Sequence, residues 1–237
     1  MNHELYVAGA SATSIVVRGQ FTPGLFAPAW FRAAALIGDT GDVIRSITNT
    51  AADFSVADID IYVTADTLQM STKSPEEGQR LRDLAIGTLR ELPGTPIAAL
   101  GINRVIHASV TDLGAMHRIG DTLAPKGPWG EVLHSPGVRS IETWGVRDDG
   151  WKGRVGVTVE PSAHIRPGVY IGVNDHFALE LETDLDPDRD FAFLGQDEDP
   201  EATTEKRLTA LGILSMGWDE TMDRADRVHA RIMEFVS

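Results

Sequence analysis

From Val56 to Thr72 the chain alternates, with Ile59, Ile61 and Val63 set against Asp58, Asp60 and Tyr62, and Leu68 and Met70 alternating with polar neighbours beyond a break. Successive side chains of a strand point to opposite faces, so a period of two marks a strand with one buried side. A two-residue turn at Ala65-Asp66 places Val63 opposite Leu68, Ile61 opposite Met70 and Ile59 opposite Thr72, which gathers the apolar residues on one face. Such a hairpin needs a cover, and the flanking segments have the helical period that supplies one.

Ser14 to Phe21 is β-branched and stops at Thr22-Pro23-Gly24, a turn composition, so a first strand is expected there. Pro28 opens a helix carrying Trp30, Ala33, Ala34 and Ile37, with Gly38 as its terminator. Ser74-Pro75-Glu76-Glu77 has the form of a capping box ahead of a helix with Leu81, Leu84, Ala85 and Leu89 inward, ending at Leu92-Pro93-Gly94. Thr95 to Val110 is nearly continuous in apolar residues and reads as a central strand covered on both faces. A helix from Asp112 to Leu123 follows, is interrupted at 124–128, and resumes from Trp129 to Leu133. Ser140 to Arg147 and Trp151 to Glu160 flank Asp148-Asp149-Gly150. A three-residue loop with Gly150 left-handed sets Ile141 opposite Val157 and Thr143 opposite Val155. Gly168 to Leu181 is a further strand, and 182–200 an acidic loop. Thr204 caps a helix to Leu211, and Trp218, Met222, Ala225, His229, Ile232 and Val236 form an amphipathic stripe, with Gly212 and Gly217 marking a break.

The order strand, helix, hairpin, helix recurs, the second time with an extra strand after the hairpin. The expected fold is α+β: two similar halves of antiparallel or mixed sheet covered by helices, residues 1–94 and 95–237, with a long C-terminal helix. The 237 residues lack cysteine, which excludes a disulfide scaffold, a thiolate metal site and a cysteine nucleophile. The formal net charge of −14 repels phosphate backbones, so direct nucleic-acid binding is not expected. Residues 180–237 hold 16 acids against 6 bases, most of that excess. No window has the 18 or so apolar residues of a membrane span, and the N-terminus lacks the pattern of a secretory signal, so the expected compartment is the cytoplasm.

Phe21-Thr22-Pro23, Pro28-Ala29-Trp30-Phe31, Leu92-Pro93-Gly94-Thr95-Pro96, Leu100-Gly101-Ile102-Asn103, the run Leu123-Ala124-Pro125-Lys126-Gly127-Pro128-Trp129 and Val173-Asn174-Asp175-His176 together resemble a family of uncharacterised bacterial proteins across most of the chain. More distantly, Gly101 to Arg104 and the closing helix, Val228 to Phe235, are similar to features of a sporadically distributed bacterial family without assigned chemistry. The resemblance implies a bacterial protein of two related α+β halves and supplies no catalytic residues.

Phosphate-cradling glycine motifs, a G-x-S-x-G elbow and H-E-x-x-H are missing from the sequence. Gly150, Gly153 and Gly156 fit a turn and a bulge. Asp184, Asp186, Asp188 and Asp190 alternate, but Arg189 and Gly195 stand where a calcium loop needs Gly and Glu, so a solvated acidic loop is expected. No metal and no cofactor are expected.

The candidate binding residues are polar groups in apolar strands. Asn174, Asp175 and His176 bring a carboxylate beside an imidazole, a pair able to move a proton, but neighbours on a regular strand face opposite ways. A polar strand end or bulge is the simpler reading. His107 approaches His176 if two half-sheets meet, although two histidines alone make no metal site. Asn103 and Arg104 break an apolar run. Arg104 suits a bound carboxylate or phosphate, or, more commonly, an internal acid that ties two parts of a protein together. Trp129 lies in a rigid corner, able to anchor a partner or to plug a gap between helix and sheet. His229 fits a hydrogen-bonded core position.

These features point to a non-enzymatic cytosolic bacterial protein that works by protein–protein interaction or assembly, through sheet edges and the acidic C-terminal region. The alternative is a small-molecule binder or enzyme with a pocket at the junction of the halves, built from Asn103, Arg104, Asp175 and His176.

Overall fold

The computed structural model describes residues 8–39, 41–179 and 200–236. Its strands are β1 (Ala8–Gly19), β2 (Asp42–Ile47), β3 (Ala51–Val56), β4 (Ile59–Thr64), β5 (Thr67–Thr72), β6 (Ile97–Ser109), β7 (Ile141–Val146), β8 (Gly153–Pro161) and β9 (Gly168–Ala178). The helices are α1 (Pro28–Ala33), α2 (Gly78–Arg90), α3 (Leu113–Leu123), α4 (Pro200–Met216) and α5 (Trp218–Met233). The strands form one nine-stranded sheet in the order β2-β3-β4-β5-β1-β6-β9-β8-β7. Every pairing is antiparallel, so the sheet is not mixed.

The hairpin read from the alternation forms as expected, with Val63 opposite Leu68 and Ile61 opposite Met70. Its buried face continues across the sheet, Met70 meeting Ile15 and Ile15 meeting Ile102. Phe54, Ile61, Leu100, Ile171 and Phe177 are fully buried on that same side. The helices pack there: Phe31 of α1 meets Phe54, Leu81 and Leu89 of α2 join the same core, and Ala115 and Ile119 of α3 cover Ile106 and Ile171. Sheet and core run across the 94/95 boundary, because β1 and β6 pair along their length. The opposite face mixes small and polar residues with a few apolar ones such as Val16, Val105 and Trp144, and no described helix covers it. Central β6 is therefore buried on one side and half-buried on the other, where Gly101, Asn103, Val105 and His107 point.

Several local expectations are corrected. Helix α1 stops at Ala33 because Ala35 takes the left-handed conformation (φ 55°), with the Leu36 N–H donating to the Phe31 carbonyl and the Ala35 N–H to that of Arg32. That closure does the work assigned to Gly38. Ser74 makes no capping bond to the backbone: a 3-10 turn over Pro75–Glu77 precedes α2, and the Ser74 hydroxyl bonds Glu76 instead. Strands β2 and β3 were not anticipated. The stretch after 124–128 forms only a 3-10 turn, Gly127–Trp129. The acidic residues 182–199 lie outside the described residues, and α4 runs unbroken through Gly212 to a single break at Gly217.

Among the described residues no helix is long and apolar enough to cross a membrane. Phe54 is fully buried, so Phe54→Ala should cost about 3–5 kcal/mol of stability, read as a lower urea midpoint. Val43→Ala, on the exposed edge, should stay within about 0.5 kcal/mol.

Candidate functional site

The buried face of β9 reads Val169, Ile171, Val173, Asp175 and Phe177, so strand alternation itself carries a carboxylate into the core. A buried charge needs a partner. Arg147, immediately after β7, donates to Asp175 Oδ1 at 2.7 Å, and Arg224 of α5 donates to the same oxygen. Both guanidiniums also bond Asp149, whose Oδ2 accepts from Arg224 at 2.9 Å. Two cations and two anions thus close a ring in which the Arg147 and Asp175 side chains are each 1% exposed. The Arg147 guanidinium also lies 3.7 Å from the centre of the Phe177 ring.

Burial pushes the Asp149 carboxyl up, but the hydrogen bonds from Arg147 and Arg224 outweigh it and hold the group at about 2. At Asp175 burial prevails and raises the carboxyl against the pull of Arg224 and Arg147. The ring connects the β7–β8 loop, the sheet and α5. It also corrects the expected hairpin register: Ile141 faces Val159 and Thr143 faces Val157, two residues along from the expected partners, because residues 147–152 leave the ladder to deliver Arg147 and Asp149 inward. Gly150 is left-handed as expected (φ 84°), and Gly153 (φ 133°) passes so close to the His176 carbonyl that a Cβ would collide with it.

The sequence candidates divide between the two faces. Arg104 and Asp175 are on the helix side, where Arg104 bonds Asp226 of α5 at 3.2 Å, the internal-acid role that was the commoner expectation. Asn103, Asn174 and His176 face the other way, in the cross-strand rows Ser14–Asn103–Asn174–Gly156–Trp144 and Gly101–His176–Arg154–Val146. The four residues assigned to a junction pocket therefore do not line one cavity. His107 stands opposite Tyr170, six positions along β6 from the partner of His176, which is roughly 20 Å. Its Nδ1 lies 2.9 Å from Ser162 Oγ, which accepts the N–H groups of His164 and Ile165. Ser162 is 4% exposed and engaged on all sides, so it clamps a turn and is not poised as a nucleophile. Among the described residues no group of three His, Asp or Glu is placed to hold a metal. His229 is fully buried, but neither ring nitrogen makes the hydrogen bond expected of a core histidine, and burial, aided by Arg104 and opposed by Asp226, holds its imidazole down at about 4. Trp129 fills no gap: it is 55% exposed, beside exposed Val132 and Leu133.

The two edges of the sheet differ. Edge β2 is broken by a bulge between Ile44 and Ser46, and Arg45 reaches across to Asp53, Ser55 and Asp60. Bulges and charges of this kind protect an edge from pairing with another strand. Edge β7 has no bulge and a single charged side chain, Glu142. Its register is continuous, its outer side pairs with no described strand, and Trp144 (53% exposed) and Val146 (69% exposed) stand out from it. The ion ring holds its end, since Arg147 follows Val146 directly.

Arg147, Asp149 and Arg224 were not singled out in the sequence. The available signal was Asp175 itself, an acid at a core position of a strand, which requires cations from elsewhere. Asp175→Asn should cost about 3–5 kcal/mol, because it leaves Arg147 and Arg224 sharing one carboxylate in the core; chemical denaturation reads it. The depressed His229 contributes stability that is complete above about pH 6.5 and is lost as pH falls toward 4. Unfolding free energies between those pH values should drop with a component of about 1.4 kcal/mol per pH unit that His229→Gln removes. Among known proteins, no family model matches the chain and none of the curated proteins matches it, so the functional reading rests on these residues alone.

Proposed function

We propose that this chain is a non-enzymatic interaction or assembly protein that receives a strand from another protein along the outer edge of β7. The observation that carries the reading is an unbulged edge strand, Ile141–Val146, with Trp144 and Val146 exposed, fixed at its end by the buried ring. Edge addition gains main-chain hydrogen bonds from the unpaired groups and selectivity from alternate side chains. The resemblance supports a bacterial source, and the proposal places the protein in the cytoplasm.

The chain order supports a second element of the proposal, that the protein consists of two related halves. β1-α1-β2-β3-β4-β5-α2 and β6-α3-β7-β8-β9-α4-α5 each begin with a central strand and a helix, and the last strand of each returns to pair with the first. On this reading β7 corresponds to β3. β3 is covered by β2, whereas the second half has no such strand among the described residues. The free edge is then a missing strand position, which a partner fills.

A photo-crosslinking residue at exposed Glu142 should yield a discrete protein adduct in source cells, and Trp144→Lys and Val146→Lys should each abolish it. Absence of any protein adduct from β7, with adducts forming from another surface of the folded chain, would overturn the reading.

A further inference from the structure

We infer that the strand received by β7 is the β7 of a second copy, in an antiparallel ladder centred on Trp144; the inference rests on the edge reading above. A strand that pairs antiparallel with itself across a two-fold axis is self-complementary, and closed two-fold pairs are the commonest oligomers. Residues directly opposed in an antiparallel ladder share a face, so the axis must pass through a residue and not between two. Three centres are available near the middle of the exposed strand, and charge separates them.

With Thr143 at the axis, Glu142 meets the partner's Trp144, whose row continues through Gly156 and Asn174 and holds no base. With Gly145 at the axis, Glu142 falls opposite position 148, beyond the end of the β7 ladder. Neither arrangement gives Glu142 a base. With Trp144 at the axis, the two exposed indoles meet, Thr143 faces the partner's Gly145, and Glu142 faces the partner's Val146. Val146 is itself paired with Arg154 of β8, on the same open face. Glu142 and the partner's Arg154 then stand in one cross-strand row, two strand spacings or about 10 Å apart at Cα, a gap their long side chains bridge. The symmetry repeats this pair on the other side of the axis. Acid, base and aromatic thus find complementary positions in one register of the three, which is what selects a second copy as the occupant.

The absence of cysteine makes the register directly readable. Directly opposed Cα atoms are about 4.5–5.5 Å apart, within disulfide reach. Trp144→Cys should form an interchain disulfide on mild oxidation. Thr143→Cys and Gly145→Cys should each form no interchain disulfide alone yet cross-link with each other when mixed; Gly145 has open space for the added side chain. The cysteine at 144 removes the indole pair, so sedimentation equilibrium on charge variants supplies an independent reading. Glu142→Arg and Arg154→Glu should each weaken the dimer by about tenfold or more, and the double variant should restore it. Self-cross-linking at 143 or 145, or a wild-type chain that stays monomeric at high micromolar concentration, would overturn the inference. If that monomer still gives an adduct from Glu142 with a different protein in source cells, the edge reading stands and only the identity of the occupant falls.

Discussion

Asp175 is the group around which this structure is arranged. Strand alternation places its carboxylate among Val173, Phe177 and the helices, and an unpaired carboxylate there would be strongly destabilising. Its partners come from far along the chain: Arg147 from the end of an edge strand and Arg224 from the last helix. Meeting both requires residues 147–152 to leave the ladder, Asp149 to complete the charge balance, and α5 to lie across β9. The same bonds fix the point from which β7 leaves the core. A buried ion pair need not add net stability, but breaking one is costly, and that asymmetry makes the ring a constraint on geometry.

The open face follows from the same alternation. Residues opposite the core include Ser14, Gly101, Asn103, Gly156 and Asn174, small or polar, as expected for an antiparallel sheet with water on one side. The edges carry the contrast. β2 is bulged and bridged by Arg45, whereas β7 continues in register and shows an indole and a valine. That contrast between a guarded edge and an unbulged one is what supports the proposed strand addition at β7.

Elements with a clean period were legible in the sequence: the β4–β5 register, the inward face of α2, and α3 with Asp112 accepting the Ala115 N–H at 2.8 Å. The failures have physical causes. β2 and β3 are short and carry Asp42, Arg45 and Asp53 through their alternation. Helix α1 ends on a left-handed alanine, a conformation that residue rarely takes, where glycine was the obvious terminator. The β7–β8 register slipped by two residues because a tertiary demand, the pairing of Asp175, overrode local turn geometry. At the site, the opposite orientation of Asp175 and His176 and the internal pairing of Arg104 were legible from strand period and base chemistry. The ring was not, since apart from the Arg147–Asp149 contact it joins residues 28 to 75 positions apart that share no local pattern.

Hydrogen exchange along β7, followed as protein concentration is raised, tests the account most directly. If β7 is the edge at which the protein pairs, its outward amides gain protection with concentration while those of the bulged β2 edge do not change. Exchange in β7 that is equally fast at every concentration, or protection that grows at β2 instead, would contradict it.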